Sequence, residues 1–87
     1  MKLKNNYTLT GLAGEYVAVP LDGGSDFHGI VKLNESGAEV FRGMQEGQDE
    51  AQIARRLMEK FEIDMETAEK AVRIVVDELS AAGLMER

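Results

Sequence analysis

The chain changes character at Leu33-Asn34, and that break limits its fold more than any other feature. Ahead of it lie the only proline, five of the nine glycines and short runs rich in Tyr, Thr and Val. Behind it no proline occurs, and Ala, Glu, Leu, Met, Lys and Arg dominate. β-branched and aromatic residues suit a pleated, half-buried surface, whereas the second set are good helix formers. Strands come first and helices second without alternation, so the class is α+β rather than α/β.

Within the first part, Tyr7-Thr8-Leu9-Thr10 alternates as a strand does. Gly11-Leu12-Ala13-Gly14 reads as a tight connection, because glycine tolerates positive φ. Glu15–Val19 follows as a second strand, closed by Pro20, which lacks a ladder donor. Residues 21–26 form a turn-rich loop before a short third strand over Gly29–Leu33. Three strands with one covered face can be stable where two cannot.

The second part divides into three helices. Asn34 is a good N-cap for the first, which carries Ala38 and Phe41 toward a core, with Val40 and Met44 as further candidates and Gly43 and Gly47 bracketing its end. Asp49 and Gln52 have the spacing of a capping box for the second, whose Ile53, Ala54, Leu57 and Phe61 recur at helical intervals. Asp64 caps the third and longest, and Gly83 is a natural stop that lets Leu84 and Met85 fold back. At 87 residues the chain has room for one hydrophobic core, so residues 1–87 are expected to form a single domain.

The third helix is the informative one. Ala68, Ala71, Val72, Val75, Leu79 and Ala82 fall within about 100° of arc, enough for a core stripe. Ile74 and Val76 lie outside it on opposite flanks. Burying either is worth roughly 1.5–3 kcal/mol, so each is expected to find a partner, either neighbouring elements of the chain or a bound molecule.

Composition removes several function classes. With no cysteine and a single histidine, His28, the chain has neither the ligands of a structural zinc site nor the parts of a nucleophile–base pair. Gly23-Gly24 lacks the Lys-Ser/Thr of a phosphate loop. The net charge of −6 opposes the clustered cations that phosphate contact requires, so nucleic acid is not an expected partner. No apolar run approaches the roughly 20 residues of a membrane span, and the polar start, Met1 to Asn6, does not resemble a signal peptide. The expectation is a cytoplasmic binding domain that is not an enzyme and needs no cofactor of its own.

At Leu33-Asn34-Glu35-Ser36-Gly37-Ala38, where a strand opens into a helix, the sequence resembles the PqqD-like family. Ile53-Ala54-Arg55-Arg56-Leu57, Phe61-Glu62-Ile63-Asp64, the closing Leu79…Ala82-Gly83-Leu84 and the earlier Gly14–Pro20 segment resemble it in the same order. The resemblance implies a winged helix-turn-helix-like fold, a three-stranded antiparallel sheet followed by three helices. It also implies a recognition element that captures the leader of a ribosomally made, post-translationally modified peptide. The precursor would be presented to a modifying enzyme, in many such pathways a radical S-adenosylmethionine protein that carries the cofactors itself. Relatives often have an acidic residue where Ala71 stands here, so a polar contact at that position is not carried over.

The mechanism the family implies is addition of the leader as a strand on the edge of Gly29–Leu33, with its apolar side chains entering the groove toward the third helix. The residues expected to take part are Ile30, Val31, Lys32 and Leu33 on the strand and Val72, Arg73, Ile74 and Val76 on the helix. Plainer roles are open to them: core packing for Val31, Leu33 and Val72, and solvent exposure for Lys32 and Arg73. Two other classes compete, a winged-helix DNA-binding regulator and a structural docking subunit. DNA reading calls for a basic recognition helix, and the third helix sets Glu66, Glu69, Asp77 and Glu78 against Lys70 and Arg73. An open strand edge could also pair with its own copy to give a homodimer.

Overall fold

The computed structural model describes Leu3 and residues 7–20 and 31–85, the side chains of Leu12 and Pro20 excepted. Strands β1 (Tyr7–Leu12), β2 (Glu15–Pro20) and β3 (Val31–Leu33) precede helices α1 (Glu35–Gln45), α2 (Glu50–Phe61) and α3 (Met65–Ala81). The strands form one antiparallel sheet in the order β1-β2-β3. This is the expected α+β arrangement, although Gly29 and Ile30 of the expected third strand, with the loop before them and His28, lie outside the described residues.

The β1–β2 hairpin is tighter than the glycine pattern suggests. Leu12 pairs with Glu15, leaving Ala13 and Gly14 as the turn, both at positive φ (55° and 83°). Consecutive positive φ values match the right-handed twist of the flanking strands. Gly11 stays within β1 opposite Tyr16, where an added Cβ would lie 2.7 Å from Tyr16 Cε1. Its missing side chain makes room for an aromatic ring rather than a turn.

All three helices start as their side chains direct. Asn34 Oδ1 accepts from Gly37 N at 2.8 Å, and Asp64 Oδ1 accepts from Thr67 N at 2.8 Å. In the capping box of α2, Asp49 Oδ1 accepts from Gln52 N at 2.8 Å while Asp49 N donates to Gln52 Oε1 at 2.9 Å. The ends of α1 and α3 share one device. Past α1, Gly47 N donates to Met44 O and Gln48 N to Gly43 O; past α3, Gly83 N donates to Ser80 O and Leu84 N to Leu79 O. These are paired Schellman bonds, which need a left-handed residue at Gly47 and Gly83, whose φ values are 80° and 84°.

Gly43 lies inside α1 rather than at its end. An added Cβ there would stand 2.8 Å from Ile53 Cγ1, so the glycine sets how closely α1 approaches α2. The core lies between the helices and one sheet face. Val40, Phe41, Ile53, Leu57, Val72, Leu79 and Leu84 are fully buried, joined by Ala18, Val31 and Leu33 from the sheet. Leu84 folds back as expected, and Met85 bridges to Leu3. Among the described residues, no helix is long and apolar enough to cross a membrane.

One buried charge was not singled out by the sequence reading. Glu39, on α1, is only 4% exposed and meets three cations: Arg42 at 3.2 Å, Arg56 at 3.4 Å and Lys60 at 3.4 Å. Burial by itself raises its pKa; hydrogen bonds from Arg56 and Arg42 and the fields of Arg56 and Lys60 outweigh this and hold the carboxyl below the ordinary glutamate value. Arg56 also donates to Glu46 at 3.0 Å and Gln48 at 3.2 Å, and Arg42 lies 5.3 Å from the Tyr16 ring centroid. The cluster links α2 through α1 to the sheet.

Candidate functional site

Because the sheet order is β1-β2-β3, β3 is hydrogen-bonded along one side only among the described residues. Tyr16, Val17 and Ala18 face Leu33, Lys32 and Val31 across that side, and no strand among the described residues occupies the other. In an antiparallel ladder alternate residues turn their N–H and C=O groups outward, so the open margin presents main-chain donors and acceptors. Side chains alternate as well: Val31 and Leu33 are buried and Lys32 is exposed.

Between this margin and α3 runs a groove of about 240 Å³. Lys32, Leu33, Asn34, Ser36 and Gly37 line one wall; Ala71, Ile74, Val75 and Glu78 line the other. The helix residues follow i, i+3, i+4, i+7 spacing, a single face of α3. Leu33 and Val75 are buried, Ala71 is half-buried and Ile74 is 60% exposed. The wall is therefore apolar at its base, with one large aliphatic side chain facing solvent beside an unpaired strand. Isolated surface aliphatics are common; this one borders both a groove and open main-chain groups.

The structure separates the helix residues singled out from the sequence. Ile74 lines this groove. Val76, 7% exposed, turns the other way, bordering a depression lined also by Gly47 to Ala51 of the α1–α2 connection and the start of α2. Val72 is 1% exposed and belongs to the core. Arg73 reaches Glu50 of α2 at 2.8 Å and Asp77 at 3.9 Å, so it too lies away from β3. On the strand, Lys32 and Leu33 line the groove, Val31 contributes its buried side chain to the core, and Ile30 lies outside the described residues.

Ala71, Val75 and Glu78 were not expected at the site. In the sequence Ala71 and Val75 belong to the core stripe, and Glu78 is one acid among many. A second stripe drawn through Ile74 collects all four groove residues of α3.

Three antiparallel strands leading into three helices, with the outer edge of the third strand uncovered among the described residues, define a small α+β domain of the winged-helix kind. The family model described as "Coenzyme PQQ synthesis protein D (PqqD)" matches residues 15–85, and the chain belongs to that family. Two solved structures share the fold. One, described as TbiB1 in complex with the TbiA(beta) leader peptide, is 21% identical with a TM-score of 0.76, over 99% of this chain and 95% of its own. The other, lasso peptide synthetase B1 complexed with the leader peptide, is 19% identical with a TM-score of 0.75, over 99% of this chain and 96% of its own. No curated protein sequence matches the chain.

Proposed function

We propose that this domain binds the leader segment of a ribosomal precursor peptide and presents it to a modifying enzyme, taking no part in the chemistry itself. The leader adds as a fourth strand on β3, and an apolar leader side chain packs on Ala71, Ile74 and Val75. The observation that carries this reading is the β3 margin, unpaired among the described residues, beside a groove that exposes Ile74. Membership of the PqqD family supports it, as do two proteins of the same fold described in complex with leader peptides. Main-chain pairing supplies affinity with little demand on sequence, and the groove supplies selectivity.

In this reading Ile30, Val31, Lys32 and Leu33 offer the edge, and Lys32 is placed to meet an acidic leader residue. Val72, Arg73 and Val76, also expected at the site, lie in the core and toward α2, so this reading rests on the strand edge and Ile74. The enzyme served is a cytoplasmic radical S-adenosylmethionine protein, which brings its own cofactors. Without peptide, the β3 edge can pair with that of a second copy to form a homodimer. Regulation of transcription is disfavoured by α3, where Glu66, Glu69, Asp77 and Glu78 leave little to attract phosphates.

The test is a parallel titration. Fluorescent peptide from the leader of a candidate precursor, and labelled duplex DNA, are each titrated with the protein at two salt concentrations. Saturable peptide binding with no DNA binding supports the reading. DNA binding that weakens steeply with salt, with no response to peptide, overturns it.

A further inference from the structure

Glu78 is the acid on the groove-facing stripe of α3, one helical turn beyond Ile74. The other charges of the helix differ in placement: Glu69, also without an ion pair among the described residues, lies on the α2 side with Glu50, Ala51 and Arg73. Asp77 and Arg73 face one another at 3.9 Å, Arg73 holds Glu50 at 2.8 Å, and Lys70 lies 3.5 Å from Glu66. Among the described residues Glu78 has no cation within ion-pair distance. Lys32, the cation in the groove lining, stands on the opposite wall and does not pair with it. An exposed carboxylate therefore borders an apolar groove with its charge uncompensated by the described residues.

The spacing gives this charge a partner. Ile74 and Glu78 are separated by four residues, about 6 Å along a helix. In an extended peptide, side chains on one face recur every two residues, about 6.6 Å. A strand that runs alongside α3 in this groove and sets one side chain against Ile74 thus brings the second residue along, on the same face, opposite Glu78. We propose that the groove selects leader segments carrying an aliphatic or aromatic residue and a lysine or arginine two positions apart, with Glu78 as the specificity-determining residue for the basic one. This rests on the leader-binding reading above and adds to it a sequence requirement at one register position.

The size of the effect is modest. An exposed ion pair is worth about 0.2–1 kcal/mol, which corresponds to roughly 1.4- to 5-fold in affinity. Selection among many peptides reads such a preference more clearly than one affinity does. A phage library of random 12-residue peptides is therefore panned against the wild-type protein, Glu78→Gln and Glu78→Lys, with Ile74→Asp as a control for the site. All substitutions are at exposed positions of α3.

The wild type is expected to enrich an apolar residue with Lys or Arg two positions away. Glu78→Gln should keep the apolar preference and lose the basic one, and Glu78→Lys should replace the basic residue with Asp or Glu. Ile74→Asp should select none of these peptides. Enrichment of the same charge pattern by wild type and Glu78→Lys overturns the assignment of Glu78 and leaves leader capture standing. Failure of the wild type to enrich any peptide, or enrichment indifferent to Ile74→Asp, overturns both.

Discussion

Ile74 and Val76, two residues apart on α3, end in opposite environments: Ile74 is 60% exposed beside β3, and Val76 is 7% exposed next to the start of α2. From sequence the two looked equivalent, one on each flank of the core stripe. Packing assigns one to the body of the protein and leaves the other at the surface.

Substitution should separate the two roles. Ile74→Ser is expected to leave the melting temperature nearly unchanged, as surface substitutions do, while weakening leader-peptide binding tenfold or more. Val76→Ala should destabilise the fold by about 1–3 kcal/mol and leave the affinity of the folded fraction unaltered. Thermal melts and peptide titrations on both variants give the comparison.

Strand addition predicts an alternating sensitivity in the ligand. N-methylation of a peptide amide removes one donor, and losing a main-chain hydrogen bond at a partly shielded edge costs about 1–3 kcal/mol, roughly 5- to 150-fold. Methyl groups walked along a bound peptide should therefore weaken binding at every second residue, with near-neutral positions between. Loss at every position, or at none, would exclude pairing with β3.

The Glu39 cluster makes stability depend on acid. Its folded pKa lies below the ordinary 4.5, so the carboxylate's contribution is fully present above that value and fades as pH falls through the lowered one. Glu39→Gln should destabilise the protein at pH 7 by about 1.5–3 kcal/mol, because Arg56 and Arg42 lose charge-assisted hydrogen bonds while they and Lys60 keep access to water. The variant's melting temperature should also fall less between pH 6 and pH 3 than that of the wild type, checked by circular dichroism across that range.

Gly43 offers a test in which two effects oppose. Alanine is favoured over glycine inside a helix by about 1 kcal/mol, whereas overpacking a helix contact costs about 1–3 kcal/mol. With the added Cβ 2.8 Å from Ile53 Cγ1, the second effect wins, and Gly43→Ala should destabilise by about 1 kcal/mol. Adding Ile53→Val, which trims the facing side chain, should restore part of the loss in a double-mutant cycle.

Much of the fold was legible because local chemistry and tertiary packing agree. Asn34, Asp49 and Asp64 mark the helix starts in the sequence and accept the capping hydrogen bonds in the structure. The apolar spacings of α1, α2 and α3 likewise named most of the core. What was not legible depends on partners distant in the chain. Gly11 and Gly43 read as turn and terminus, yet each answers to a facing side chain, Tyr16 and Ile53. Glu39 looked like surface charge because Arg56 and Lys60, which make its burial tolerable, lie a helix away. At the candidate site, the β3 edge and Ile74 could be named from the sequence. The side of α3 facing that edge could not, since it follows from how α2 and β3 divide the helix between them.

The central claim is tested most directly by amide chemical-shift perturbation in the isotope-labelled protein as unlabelled leader peptide is added. Occupation of the groove predicts changes concentrated at Val31, Lys32 and Leu33 and at Ala71, Ile74, Val75 and Glu78, with slowed hydrogen exchange at the outward-facing amides of β3. Saturable binding that leaves those residues unperturbed and instead shifts Glu50, Arg73 and Val76 would place the peptide on the opposite side of α3 and contradict the account.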